Sequence, residues 1–143
     1  MLNVEKSIFI KKTPAEVFTF LTTEGNYTKW QPAVTQVIEG GPRNTVGSHF
    51  TEVRKFMGRE MRTTYEITEF VPNAKEVIKV VEGPAPYEAT TTCEASEGGM
   101  KYTMKVVGET KGFFKLAEGL VAAQLEKSLA EDFQRLKELL EKA

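Results

Sequence analysis

Phe50-Thr51-Glu52-Val53-Arg54-Lys55-Phe56-Met57-Gly58-Arg59-Glu60-Met61-Arg62-Thr63-Thr64-Tyr65-Glu66-Ile67 is the stretch that decides the fold, because a glycine splits it into two alternating runs. Two such runs joined by a turn residue read as antiparallel strands. With Gly58-Arg59 as a two-residue turn, Met57 pairs with Glu60, Phe56 with Met61, Arg54 with Thr63, Glu52 with Tyr65 and Phe50 with Ile67. Directly paired residues share a face. One face then holds Phe50, Glu52, Arg54, Phe56, Met61, Thr63, Tyr65 and Ile67, and the other His49, Thr51, Val53, Lys55, Arg62, Thr64, Glu66 and Thr68. The second set is nearly all polar, so the first is expected to face inward. A four-residue turn would keep these faces; a three-residue loop would exchange them on one strand.

Working outward, strands are expected at about Leu2 to Lys11, Val34 to Glu39, Gly47 to Met57, Glu60 to Val71, Glu76 to Glu82, Tyr87 to Ala95 and Met100 to Val107. Gly58, Pro72-Asn73, Gly83-Pro84-Ala85-Pro86 and Gly98-Gly99 break them. Joints this short make successive strands antiparallel neighbours, since a parallel return needs a long crossover. The Gly98-Gly99 hairpin pairs Ala95 with Met100, Cys93 with Tyr102, Thr91 with Met104 and Ala89 with Val106. Its inward set mixes small residues with Met and Tyr, which suits the lining of a cavity.

Helices bracket the strands. Thr13, Pro14 and Glu16 spell an N-cap, a favoured first helical position and a capping box. The helix they open carries Val17, Phe18 and Leu21 on one face, and a second short helix is expected from Glu24 to Trp30, ended by Pro32. A last helix is expected from about Gly112 to Lys142, with Val121, Leu125, Leu129, Phe133, Leu136 and Leu140 as its buried stripe. Gly119 interrupts its more apolar first part, either to permit close approach of a ligand or partner or a local bend over the cavity, or as a tolerated weak point. The expected architecture is α+β: a curved antiparallel sheet of about seven strands, two short helices after the first strand, and a long C-terminal helix over an internal cavity.

At 143 residues the chain fits one domain, 1–143. A core of that size needs no disulfide or metal, and the lone Cys93 offers neither. The net charge of -1, from 19 basic and 20 acidic residues, argues against a nucleic-acid surface. No apolar run approaches a membrane span and the N-terminus lacks a signal-peptide pattern. A cytoplasmic protein is therefore expected, monomeric or weakly dimeric, with no cofactor, no metal and no membrane span.

The residues expected to bind ligand are Trp30, Phe50, Glu52, Arg54, Phe56, Met61, Thr63, Tyr65, Tyr87, Thr91, Tyr102, Met104, Phe113 and Leu120. Glu52 and Arg54 are the anomaly among them, since inward charges are costly unless paired. Either they orient the polar group of an apolar ligand beside Thr63 and Tyr65, or they pair or snorkel at the sheet rim. His49 falls on the outward face with no acid–base partner in view. Cys93 reads as a small buried hydrophobe, there being no histidine to activate it. Trp30 either anchors its corner of the core or walls the pocket mouth. Glycine-rich phosphate loops, serine triads and metal-ligand spacings do not occur.

Ile8-Phe9-Ile10, Thr13-Pro14-Ala15-Glu16-Val17-Phe18-Thr19-Phe20-Leu21, Asn26-Tyr27-Thr28-Lys29-Trp30-Gln31-Pro32, Val46-Gly47, Gly58-Arg59, Tyr65-Glu66-Ile67-Thr68-Glu69-Phe70-Val71-Pro72 and Leu136-Lys137-Glu138-Leu139-Leu140-Glu141 follow one another in an order that resembles the START-like superfamily. Within it the chain is most similar to the polyketide cyclase/dehydrase branch. The resemblance spans essentially the whole chain and implies a helix-grip fold whose cavity takes lipids, sterols, plant hormones, polyketides or other hydrophobic molecules. Some members are enzymes and others only carry or sense a ligand, and the family offers no shared catalytic motif to carry over.

Two functions follow as expectations. The first is binding or transport of a small hydrophobic ligand, lipid-like or polyketide-like, motivated by the Met, Tyr, Phe and Thr lining. The alternative is a cyclase or dehydratase in which Glu52 is the general base and Arg54 or Tyr65 stabilises an enolate. A protein-interaction module is a third possibility, against which the polar outward face argues.

Overall fold

A computed structural model describes residues 1–23, 25–42, 44–109, 115 and 118–142. β1 (Leu2–Ile10) is followed by α1 (Pro14–Thr22), α2 (Tyr27–Trp30), β2 (Val34–Glu39), β3 (His49–Phe56), β4 (Arg59–Val71), β5 (Lys75–Glu82), β6 (Tyr87–Ser96), β7 (Gly99–Gly108) and α3 (Glu118–Glu141). The strands form one antiparallel sheet in the order β1-β7-β6-β5-β4-β3-β2. Every neighbour is also a neighbour in sequence except β1, which pairs with β7. With the long helix across its concave side, this is a helix-grip fold. Among the described residues no helix is long and apolar enough to cross a membrane.

The local chemistry explains the elements. Thr13 Oγ1 accepts from the Glu16 backbone N–H while Glu16 Oε1 accepts from that of Thr13, both at 3.1 Å, closing the expected capping box. The Gly98 hairpin has the expected pairs, Cys93 opposite Tyr102 and Thr91 opposite Met104. β7 can begin beside the end of β1 only because residue 99 is glycine: a Cβ there would lie 2.3 Å from the Ile10 carbonyl oxygen.

The β3–β4 register differs from the expected one by two residues. The pairs are Phe50 with Tyr65, Glu52 with Thr63, Arg54 with Met61 and Phe56 with Arg59, so Met57-Gly58 forms the turn. Both turn residues have positive φ, 51° and 77°, as a tight turn matching strand twist requires. Because the slip is even, the two faces of the hairpin are unchanged. α2 also starts later than expected, at Tyr27. The expected start of the last helix at Gly112 falls on residues 110–114, 116 and 117, which lie outside the described residues.

β4 is the longest strand, 13 residues, and its register with β5 shifts at Thr64/Tyr65 and again at Ile67/Glu69. Such irregularities bend a strand and increase its twist. The core consequently divides. A main cluster joins Val4, Ile10, Met100, Tyr102 and the α3 residues Leu129, Phe133 and Leu136; a smaller one holds Phe50, Tyr65, Ile67 and Val80.

Gly58→Ala should cost about 1–2 kcal/mol, since no described atom beyond its chain neighbours lies within 4 Å of the added methyl and the left-handed backbone opposes it. Urea denaturation measures this, and an unchanged midpoint would contradict the turn assignment.

Candidate ligand-binding site

The two clusters do not meet everywhere. Between them lies a cavity of about 120 Å³, bounded by Val121, Leu125 and Leu129 of α3, Tyr65, Ile78, Ala89, Met104 and Val106 of the sheet, and Tyr27 and Gln31 at α2. A lobe of about 40 Å³ shares Tyr27, Gln31, Ile78, Ala89 and Met104 with it and runs on toward Phe18, Trp30 and Tyr102. One water needs roughly 10–15 Å³, so the main space has room for an organic group.

One wall is polar and tightly bonded. Strand alternation sends Glu52 and Arg54 inward together. Arg54 Nε donates to Glu52 Oε1 at 2.7 Å, and Arg54 Nη2 to Glu52 Oε2 at 3.2 Å. Tyr27 Oη donates to Glu52 Oε2 at 2.8 Å, and Arg54 Nη2 also donates to Gln31 Oε1 at 2.6 Å. The Glu52 side chain is 2 % exposed and that of Arg54 18 %, so this is a buried pair and not two groups reaching solvent. Burial works against the Arg54 charge, but the Glu52 carboxylate outweighs it and drives the guanidinium pKa further up. Beside the pair, the Tyr65 and Tyr87 hydroxyls hydrogen-bond to each other. Burial pushes Tyr65 well above the ordinary phenol range and Tyr87 up to about 12.

Residues 1–141 match the family model for polyketide cyclase/dehydrase and lipid transport. The chain belongs to this family. No curated protein sequence matches it. Among solved structures it is similar to TTHA0849 from Thermus thermophilus, with TM-score 0.84, 18% identity and 96% of each chain covered. A START superfamily protein from Mycobacterium smegmatis gives TM-score 0.79 at 11% identity, covering 98% of this chain and 97% of the other. The Aha1 dimer from Colwellia psychrerythraea gives TM-score 0.70 at 20% identity, covering 98% and 96%. Identities this low show a shared fold and nothing finer.

Within this polyketide cyclase/dehydrase and lipid transport fold, Glu52, Arg54, Phe56, Met61, Tyr65, Tyr87 and Met104 line the main cavity. Trp30, Thr91 and Tyr102 line only the small lobe. Trp30 is 2 % exposed, with ring centroids 6.2 Å from Tyr102 and 6.5 Å from Phe133, so it anchors the core. Three expected residues fall elsewhere. Phe50 is buried but stacks on Tyr65 at 5.1 Å, behind the wall. Thr63 is buried against Gly83, where the strand turn covers it. Leu120 is 66 % exposed, because one step around α3 from Val121 turns it to solvent. Phe113 lies outside the described residues. Outside its chain neighbours and its own helix backbone, no described atom lies within 4 Å of a Cβ built on Gly119.

His49 is on the outward face, as expected, yet it does have a partner: Nε2 lies 3.3 Å from Glu66 Oε1 across the strand pair. Cys93 is buried, and burial alone pushes its thiol up to about 12.

The sequence reading missed Tyr27, Gln31 and Asp132. The first two stand in a quoted motif, but nothing in their spacing aims them at Glu52 and Arg54 from 25 and 23 residues away. Asp132 looks like a solvated helix residue, yet it is 6 % exposed. Arg135 Nη1 donates to Asp132 Oδ1 at 3.0 Å and to the Trp30 carbonyl at 3.2 Å, clasping α3 to α2. Burial pushes the Asp132 carboxyl up to about 6, with Arg54 and Arg135 pulling it back.

Glu52→Ala should destabilise by roughly 3–5 kcal/mol, since it strands the Arg54 charge, whereas the double change Glu52→Leu with Arg54→Met should cost far less. Denaturant titration of both variants checks this; equal losses would mean that the two charges do not act as a pair.

Asp132 titrates near 3.8 unfolded and about 6 folded, so the folded state keeps its proton through that window and loses stability as pH rises through it. Asp132→Asn should therefore gain on the parent protein between pH 4 and pH 7, by on the order of 1–3 kcal/mol. Parallel stability–pH curves would show that the carboxyl is not shifted.

Proposed function

We propose that the protein binds a small, mainly apolar molecule in the cavity between sheet and α3, where the polar wall orients its one polar group. The observation that carries this reading is an apolar space of about 120 Å³ with a buried, hydrogen-bonded ion pair in its wall. Apolar cavities of about 150 Å³ accept benzene, so one ring or a short chain suits the space. Anything longer displaces Met61, Met104 or Leu125, of which the two methionines repack easily.

Cyclase or dehydratase chemistry would use groups of the same wall, and the wall is poorly arranged for it. Both Glu52 oxygens already accept hydrogen bonds, from Arg54 and Tyr27, so the carboxylate is committed within the wall. Tyr65 and Tyr87 are held protonated and can donate but not abstract a proton. The arrangement favours holding a molecule over transforming it.

Native mass spectrometry of the freshly purified protein should show an added small-molecule mass that disappears on denaturation. Ala89→Phe, which fills the cavity from β6, should abolish that adduct while the circular dichroism stays native. Protein that carries no adduct and gives no saturation transfer to ethylbenzene would overturn the reading.

A further inference from the structure

Gln31 is 4 % exposed, and its Nε2 finds no hydrogen-bond partner among the described residues. The amide cannot be turned around to cure this. Its Oε1 accepts from Arg54 Nη2 at 2.6 Å, and the reverse orientation would set an NH2 group against a guanidinium. A buried donor left unmade costs about 1–3 kcal/mol, more than a typical hydrogen bond contributes. Gln31 belongs both to the main cavity and to the smaller lobe. The residue is therefore shared by both spaces.

The rest of the wall has the same character. Tyr65 and Tyr87 have two hydroxyl protons between them, and their mutual bond uses one. The other remains for the cavity that both residues line. Arg54 Nη1 has no bonded partner among the described residues, while Nε and Nη2 are committed. These groups all donate. Their charge, however, is already balanced, because Glu52 lies 2.7 Å from Arg54. A ligand carboxylate would add an anion beside Glu52 in spaces that Glu109 and Glu76 also line, and an ammonium beside the donors above would face the guanidinium.

The geometry points to a neutral ligand whose carbonyl-type acceptor oxygen sits within its apolar frame and is received by the Gln31 amide, in place of a terminal carboxylate or amine. This rests on the binding reading above and narrows it to a chemical class.

Three probes of nearly equal shape test it on the full chain: ethylbenzene, acetophenone and benzoate, each titrated into 15N-labelled protein and followed by NMR. Acetophenone should bind about tenfold more tightly than ethylbenzene, which corresponds to one satisfied buried donor. Benzoate should bind no better than ethylbenzene. The Gln31 side-chain NH2 signals should move with acetophenone and stay in place with ethylbenzene. Gln31→Met should erase the ketone's advantage, so that acetophenone and ethylbenzene bind that variant with equal Kd; if that variant does not fold, the parent series and the Gln31 signals decide alone. Tightest binding by benzoate, or equal Kd values for ketone and hydrocarbon with unmoved Gln31 signals, would overturn the inference and leave the apolar-ligand reading intact. Binding by none of the three would remove both.

Discussion

A single helix has to cover a sheet much wider than itself. Seven strands at about 4.8 Å spacing reach across about 29 Å, while a helix with its side chains is about 10 Å thick. α3 seals the β1 side, where Leu129, Phe133 and Leu136 pack with Val4, Ile10 and Met100. The bends in β4 swing β3 and β4 around instead of leaving them flat. Phe50, Tyr65, Ile67 and Val80 then make a second core of their own. The cavity is the space that neither core reaches, so it follows from the architecture and needs no special segment to form it.

Placing an ion pair in that space has a cost that stability alone does not justify, since well-packed apolar side chains in its place are often as stable or more so. Its value lies in direction. Glu52 fixes Arg54, Arg54 fixes Gln31, and Tyr27 ties the carboxylate back to α2. The chain of bonds reaches from β3 to α2, and the Asp132–Arg135 clasp carries it on to α3. Side chains on three separate elements are thereby held in one orientation around an otherwise apolar space.

Much of this was legible from residue order, and the reasons differ by element. The faces of the hairpin at Gly58 survived a two-residue error in register because side-chain direction depends only on parity. That is why residue order alone suffices to turn Glu52, Arg54, Tyr65 and Met61 inward. Depth along a strand has no such protection. Phe50 and Thr63 share the inward face, but the local cover of Tyr65 and Gly83 decides whether they reach the cavity. Residues brought in from another element, Tyr27 and Gln31, carried no signal at all, because tertiary approach places them. On α3 the stripe through Val121, Leu125 and Leu129 was readable from its period, whereas Asp132 was not. An acidic residue on a helix is ordinarily solvated, and only the docking of α2 makes this one an exception.

The single thiol lends the molecule a clock. Cys93 stands in the middle of β6, paired with Tyr102 and closed over by the main core, so a reagent cannot reach it in the intact fold. Its high pKa leaves almost no thiolate at neutral pH even where contact is made. Modification must then wait for the β6–β7 region to part, and the labelling rate reports how often that happens. Whatever tightens the grip of helix on sheet slows that clock, without any probe having been added to the chain.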